Sequence, residues 1–419
     1  MRSEAHHDTS SPGNREQYFG SRAPGVYLEK QFRPPRRTFF STGVPAFLGL
    51  RPANTEEKEA TAKPRMLSTW SHFEQYIARI PSNPKLPPDS YLPYAVRGFF
   101  ENGGHWCYVV LLEDGTARSL YAGLEAISAL NTIDLVCAPD LVTKSGSEAF
   151  ELQQLLMDHC AVMNDRFAIL DASYDLSSTK RDSNRRVWET DNQAWEQWSE
   201  IDGKNGALYY PWLKVRASAR EGTPIPVPPC GHVAGVYART DRQRGVYKAP
   251  ANEIVEGVSD LERPLTRADQ EYLNPKHVNC LRSFPGRGIR VWGARTLSGQ
   301  KAWTYVNVRR LFLTAVRWIE WNMSDIPFEP NNPSLWKRIE RELHTYFADL
   351  FRQGALKGQK PEEAFYIKCD AETNPPERVR AGQVVTEIGL APTVPYEFVV
   401  VRLIHGARGV TISGPERPQ

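Results

Sequence analysis

The sequence predicts a mixed α/β fold built in layers, and three observations lead there. Between Ser68 and Asp171, stretches of helical spacing alternate with short continuous apolar runs, the pattern of helices laid over a buried sheet. The last third carries two long amphipathic helix patterns followed by three strand-like runs. Apolar residues make up 41% of 419 and aromatics 11%, and no segment is poor in both. That suits two or three domains of roughly 100–200 residues, each with a core.

Residues 1–22, rich in Ser, Gly, His and charge, read as a mobile arm. The run Val26-Tyr27-Leu28-Glu29-Lys30 follows a Pro-Gly turn signal and reads as a strand. Arg33-Pro34-Pro35-Arg36-Arg37 cannot be a central strand, because its prolines donate no hydrogen bond. A lone strand beyond a stiff linker is unstable in water and must pair with its own domain or with a neighbour.

Val44–Leu50 reads as the first core strand, and Trp70, Phe73, Tyr76 and Ile77 have helical spacing. Strands are expected over Trp106–Leu112, Asp134–Pro139 and Phe167–Asp171, with helices over Leu120–Leu130 and Glu148–Met163. Ser173–Asn205 is polar and bears tryptophan, which suggests a surface excursion. A domain boundary is placed near Asn274, after a proline-punctuated stretch and a charged one.

Further on, Arg290–Gly293 reads as a strand, and a helix over Val308–Trp321 puts Leu311, Phe312, Ala315 and Ile319 on one face. The next helix has Asn332 as its N-cap, Pro333 at the first position and Gly354 as its stop. Leu335, Ile339, Leu343, Tyr346 and Leu350 form its apolar stripe, with Arg338, Arg341 and Arg352 opposite. Strand-like runs follow at Ala364–Cys369, Gln383–Gly389 and Tyr396–Ile404.

Composition narrows the function. A net charge of +3 is too small for a general nucleic-acid coat. No run approaches the roughly 18 apolar residues of a membrane helix, and the polar first 20 residues lack a signal-peptide core, so assembly in the cytoplasm is expected. The six cysteines are scattered among apolar neighbours without a C-x-x-C pair and read as buried free thiols, not metal ligands.

No reaction can be assembled from the remaining candidates. Gly286-Arg287-Gly288 lacks the Gly-Lys-Ser/Thr ending of a phosphate loop. His105 reads as a packing or capping residue. Cys230 and His232 stand on one proline-rich loop, which does not establish a dyad. Glu362 with Glu363, and Asp370 with Glu372, read as solvated carboxylates. Arg309-Arg310 reads either as an anion site or as the polar start of a helix. Catalytic, cofactor and metal residues are therefore expected to be none.

Four segments carry a resemblance. They are Ala23–Glu29; Ala95–Gly104 with Cys107–Val110; Val227–Asp241 running on to Gly245–Asn252; and Gly288–Thr296 with Tyr305–Arg310. Together they resemble contractile tail sheath proteins, those of extracellular injection systems and pyocin-like tails above all. Shorter matches continue through Asn374-Pro375-Pro376, whereas Ser173–Gly222 has no counterpart, and Cys230 and Tyr247 stand where Ser or Thr and Trp are expected.

The resemblance implies a structural protomer, not an enzyme. It implies an arm (1–22), a donated strand and linker (23–37), an outer domain (38–274), an inner domain (275–393) and a C-terminal strand and tail (394–419). Val26, Tyr27, Leu28 and Glu29 at one end, and Phe398, Val399, Val400 and Val401 at the other, fit strands donated to neighbours. The expected partners are further copies in a helix, an inner tube, baseplate and cap proteins and sister sheath proteins, with no nucleic acid and no membrane insertion. Tube-facing candidates are Arg338, Arg341 and Arg352 on one helix and Arg309, Arg310 and Arg317 on the other. A baseplate- or tube-associated protein and a soluble α/β enzyme are the alternatives.

Overall fold

Strands whose residues are apolar at every position must be covered on both faces, and runs such as Pro-Ala-Phe-Leu-Gly-Leu and Cys-Tyr-Val-Val-Leu-Leu build the centre of this molecule. The computed structural model describes residues 41–50, 63–78, 90–144, 146–172, 203–216, 223–393, 399–406 and 409–413. The expected arm, the strand at Val26–Glu29, most of the polar stretch after Ser173, and Phe398 lie outside the described residues.

The first half runs β1 (Pro45–Leu50), β2 (Arg65–Leu67), α1 (Trp70–Ala78), α2 (Leu92–Glu101), β3 (Cys107–Leu112), α3 (Ala117–Ser128), β4 (Leu135–Cys137), α4 (Gly146–Met163) and β5 (Phe167–Asp171). It continues through β6 (Gly206–Tyr210), β7 (Leu213–Val215), β8 (Ile225–Val227), α5 (Cys230–Arg244), β9 (Glu253–Ile254), β10 (Asp260–Leu261) and α6 (Arg267–Leu273). Then come β11 (Val278–Phe284), β12 (Gly288–Val291), α7 (Val306–Asn322), α8 (Pro333–Arg352), α9 (Pro361–Ala364), β13 (Phe365–Lys368), α10 (Pro376–Arg380), β14 (Val384–Leu390), β15 (Val399–Gly406) and β16 (Gly409–Ser413).

Nine strands form the central sheet in the order β2-β3-β1-β4-β5-β6-β11-β12-β9. Its middle, from β3 to β11, is parallel, and antiparallel strands close both edges. One face buries Phe47, Val109, Leu111, Phe167, Ile169 and Tyr209 under α1, α2 and α5. The other buries Leu48, Val110, Val136, Ala168, Leu170 and Leu208 under α3, α4 and α6. The expected boundary at Asn274 therefore falls inside this sheet, which continues through β11 and β12. The charged stretch before it includes α6.

The segment around Cys230 and His232, read above as a loop, is the first turn of α5, and eleven of its fifteen residues are buried. Burial on nearly every side removes the amphipathic spacing by which a helix shows itself. The helix lies tight on α2, because Gly231 and Gly235, one turn apart, face the α2 backbone. A Cβ on Gly231 would overlap Ala95, and one on Gly235 would stand 2.5 Å from the Phe99 carbonyl oxygen. These are two of the segments that carry the resemblance, and here they form one helix crossing.

The C-terminal part has its own core, in which Leu311, Phe312, Ala315 and Ile319 of α7 meet Leu335, Ile339, Leu343 and Phe347 of α8. Asn332 caps α8, its side chain accepting from the Ser334 and Leu335 amides at 3.0 and 3.1 Å, with Pro333 in the first turn and Gly354 at φ +81° after its end. Trp336 and Phe347 are buried where the spacing named Tyr346 and Leu350, which are half-buried. Tyr346 stacks on Trp318 of α7 with ring centroids 4.0 Å apart. Beside this pair lies a four-stranded antiparallel sheet, β13-β14-β15-β16.

Candidate assembly site

The carboxylates that an enzyme reading would choose are sealed. Asp140 stands just past the carboxyl end of β4 and Asp171 is the last residue of β5, at the end where open α/β sheets place their ligand sites. Asp140 accepts from the Leu50 amide at 2.8 Å, the Ser90 hydroxyl at 3.2 Å and the Tyr91 amide, and burial raises its pKa to about 6. Asp171 accepts from the Cys230 amide at 2.7 Å, holding the start of α5, and burial raises it to about 7. Both are 2% exposed, and both are held by groups of their own chain.

The other sequence candidates are structural too. Gly286 and Gly288, both at positive φ, make the turn of the β11–β12 hairpin. The six thiols are all buried and unpaired. Asp370 holds a turn by accepting from the Glu372 and Thr373 amides, Glu362 and Glu363 lie in the short α9, and His105 is exposed.

Arg309, Arg310 and Arg317 do not face outward, which corrects their assignment as tube-facing residues. They are 2%, 2% and 4% exposed, and their guanidinium groups are taken up inside the chain. Arg310 grips Asp241 of α5 in a two-pronged pair at 2.9 and 2.6 Å and reaches Asp134 at 2.9 Å. Asp134 in turn accepts from the Gly43 and Val44 amides at 3.0 and 2.6 Å. Burial opposes the charge of Arg310, but the two carboxylates outweigh it and hold its pKa above the ordinary value. Arg309 donates to Asn205 and Asn164, and Arg317 to the Asn131 and Thr132 carbonyls. One face of α7 thus packs in the C-terminal core while its arginines plug into the central sheet layer.

On α8 the basic face is shifted by one position from the one expected. Arg338 turns to Asp325, Glu329 and Glu342 at 2.5, 3.3 and 2.9 Å and is neutralised. Arg352 pairs with Asp349 at 3.1 Å. Arg341 is exposed and, like Lys337 one turn before it, makes no ion pair among the described residues. Lys337, Arg341, His344 and Arg352 share a stripe at helical spacing, all of them exposed. The sequence signal was there in the +4 step from Lys337 to Arg341, but Arg338 masked it.

At the C-terminus, Val399, Val400 and Val401 open β15, which pairs along its length with β14, Val399 opposite Leu390 and Val401 opposite Ile388. Within the single chain this strand pairs at home. The sheet it completes has β13 and β16 as its two edges.

The phage tail sheath central-domain model matches residues 116–297 and the phage tail sheath C-terminal-domain model residues 298–404. A chain of the anti-feeding prophage helical sheath in the contracted state is 30% identical, with 90% of this chain and 98% of that chain covered and a TM-score of 0.69. A chain of the PVC sheath complex, an extracellular contractile injection system in its contracted state, is 27% identical over 90% and 95% of the two chains, also at 0.69. The tail sheath protein of Burkholderia phage BcepMu is 29% identical over 204 residues, 45% of this chain and 39% of that one. Two of the curated phage relatives are spanned over only 27% and 39% of their own length.

The matches to the sheath-domain models and to contracted sheath chains place the protein in a class of structural, non-enzymatic components of contractile machines. The chain belongs to the phage tail sheath family and is a contractile sheath protein of a phage tail or an extracellular injection particle. The boundary between the two family models, at residues 297 and 298, falls after the sheet and just before α7. Among the described residues, no helix is long and apolar enough to cross a membrane.

Proposed function

We propose that this chain polymerises into a helical sheath around an inner tube, its copies linked by exchanged strands. The observation that carries the reading is the small antiparallel sheet β13-β14-β15-β16, built from the last part of the chain, with β13 and β16 as its edges among the described residues. A strand edge recruits another strand through main-chain hydrogen bonds. The ladder that β15 makes on β14 is one it could make equally on a neighbour's β14, the exchange that underlies domain swapping. Val26–Glu29 supplies a second strand of suitable composition to fill an open edge. Tethered at both ends, copies can rotate past each other without separating, and contraction becomes a passage between two packings of one lattice.

The exposed Lys337–Arg341 stripe of α8 is the surface assigned to the tube. Charge pairs at a wet surface contribute about 0.2–1 kcal/mol each and exchange readily, which suits a contact that must hold and then release. Baseplate and cap proteins, and sister sheath chains, are the further partners of such a lattice.

The test is to delete residues 1–30 and look for tubes by negative-stain microscopy. The truncated chain should stay folded and monomeric while the intact chain forms long ridged tubes. Tubes of normal length from the truncated chain would remove strand donation from this end, and rings in place of tubes from the intact chain would point to a baseplate component.

A further inference from the structure

Directly opposed residues on an antiparallel pair project from the same face. In the β11–β12 hairpin, Arg282 stands opposite Arg290 and Phe284 opposite Gly288. Trp292 joins this face, its ring centroid 4.6 Å from that of Phe284. The Arg282 and Arg287 guanidinium groups lie 5.2 and 5.9 Å from the Phe284 ring. Three arginines and two aromatic rings therefore share one outer face.

Like charges set opposite each other weaken a strand pair, and the partners these arginines find among the described residues are neutral. Arg282 donates to the Gln270 amide oxygen at 2.8 Å and Arg290 to the Arg287 and Asn252 carbonyls at 3.0 and 2.7 Å. Arg287 reaches the Asn252 side chain at 3.4 Å. Among the described residues none of the three makes an ion pair. Glu253 stands opposite Val291, on the other face. The Nε of Arg282 is buried without a hydrogen-bond partner.

The complementary pattern exists elsewhere on the same chain. On α4, Glu151, Leu155, Asp158 and Val162 follow one another at +4, +3 and +4 and lie on one stripe about 16 Å long. Glu151, Asp158 and Val162 are exposed, Val162 at 84%, and Leu155 is half-buried. Neither acid makes an ion pair among the described residues, and Asp158 accepts from Gln154 at 2.8 Å. Acid and apolar groups alternate here as base and aromatic groups do on the hairpin.

We propose that the hairpin face docks on the α4 stripe of a second copy of this chain. Arg287 and Arg290 meet Glu151 and Asp158, while Phe284 and Trp292 cover Leu155 and Val162. Among the described residues nothing covers Arg287, Glu151, Asp158 or Val162, and Phe284, Arg290 and Trp292 are half-exposed, so each copy offers one half to a neighbour on either side. Such a head-to-tail contact repeats into a helix or ring. The proposal rests on the helical-assembly reading and deepens it by naming a contact between copies that needs no exchanged strand.

The test compares tube yield, by sedimentation and microscopy, for the intact chain and three variants checked for folding by circular dichroism. Arg287→Glu with Arg290→Glu, and Glu151→Arg with Asp158→Arg, should each lower the yield at least about tenfold. All four changes together should restore it. Because Arg290 also holds carbonyls, Arg287→Glu paired with Asp158→Arg gives a milder reversal that should likewise recover yield over either change alone. Normal tubes from either double variant, or folded four-fold variants that stay defective, overturn the contact. Pure-chain tubes that persist while tube-loaded particles are lost would assign the face to another protein and overturn it too. Failure of the unaltered chain to form tubes would instead sink the assembly reading, and this contact with it.

Discussion

His232 sits in the first turn of α5, packed against Gly98 of α2, with its Nδ1 buried and lacking a hydrogen-bond partner. Burial, helped by the nearby charge of Arg97, lowers its pKa to about 4. In the unfolded chain it titrates near 6.5. A depressed folded pKa means that the unfolded chain binds the proton first. Stability present above pH 6.5 is therefore lost as pH falls toward 4. At pH 5 the loss from this residue is about 2 kcal/mol. Asp171, raised to about 7 by burial, works in the opposite sense, losing stability as pH rises. Asp140, raised to about 6, and His159, lowered to about 4, add to the overall profile, so the difference between the chain and His232→Leu isolates His232. Urea midpoints at pH 7 and pH 5 should show the variant losing about 2 kcal/mol less on acidification; equal losses in both would mean that His232 is protonated in the fold. Nothing in the sequence announced this. His232 was read as one half of an improbable dyad on a loop, because its burial depends on helix α2, more than a hundred residues away.

At the scale of elements, α8 and α5 mark the two extremes of what sequence shows. The cap, first-turn proline, terminal glycine and most of the apolar stripe of α8 were legible, because each is a local signal on a half-exposed helix. Of the parallel strands, β1, β3, β4 and β5 were legible as continuous apolar runs, within a residue or two of their ends, while β6 and β11 were not named. Helix α5 was not, being buried on almost all sides, and the β11–β12 sheet partners were cut off because a charged surface helix precedes them. The basic face of α8, proposed above to meet the tube, fell between these cases. Its basic character was visible, but the acids that neutralise Arg338 come from the loop before the helix as well as from Glu342, and only the fold brings them together. Lys337→Glu with Arg341→Glu should therefore abolish extended sheath on its tube protein while tube-free sheath still forms. Arg338→Glu should instead destabilise the chain itself, by breaking three contacts, at a cost near 1–2 kcal/mol. Co-assembly scored by electron microscopy checks the first claim and thermal melting the second; normal extended particles from the Lys337/Arg341 variant would take α8 off the tube.

For the molecule as a whole, the joint at Arg310 is where α7 ties the C-terminal block to the sheet. The C-terminal core and the nine-stranded sheet each bury their own apolar residues, and such blocks could unfold separately. Helix α7 ties them, with Leu311, Phe312, Ala315 and Ile319 in one block and the Arg310 guanidinium between Asp134 and Asp241 in the other. Those two acids are 107 residues apart in sequence, and 176 and 69 residues from Arg310, so no spacing rule could have paired them. Reading Arg309-Arg310 as an anion site came close in chemistry, since Arg310 does hold anions, but they are the chain's own. Deleting one partner of a buried charge group leaves the others unpaired and costs about 3–5 kcal/mol. In Arg310→Met two buried carboxylates lose their cation, and the cost falls at the joint, not within either core. Calorimetry should show one cooperative transition for the intact chain. Arg310→Met should show an early transition for the loosened C-terminal block, then a later one for the sheet. Arg310→Lys should behave similarly, because an ammonium cannot span both carboxylates in the planar two-pronged geometry. A single transition shifted down as a unit in Arg310→Met would show that apolar packing alone couples the blocks, and the joint would have to be sought elsewhere on α7.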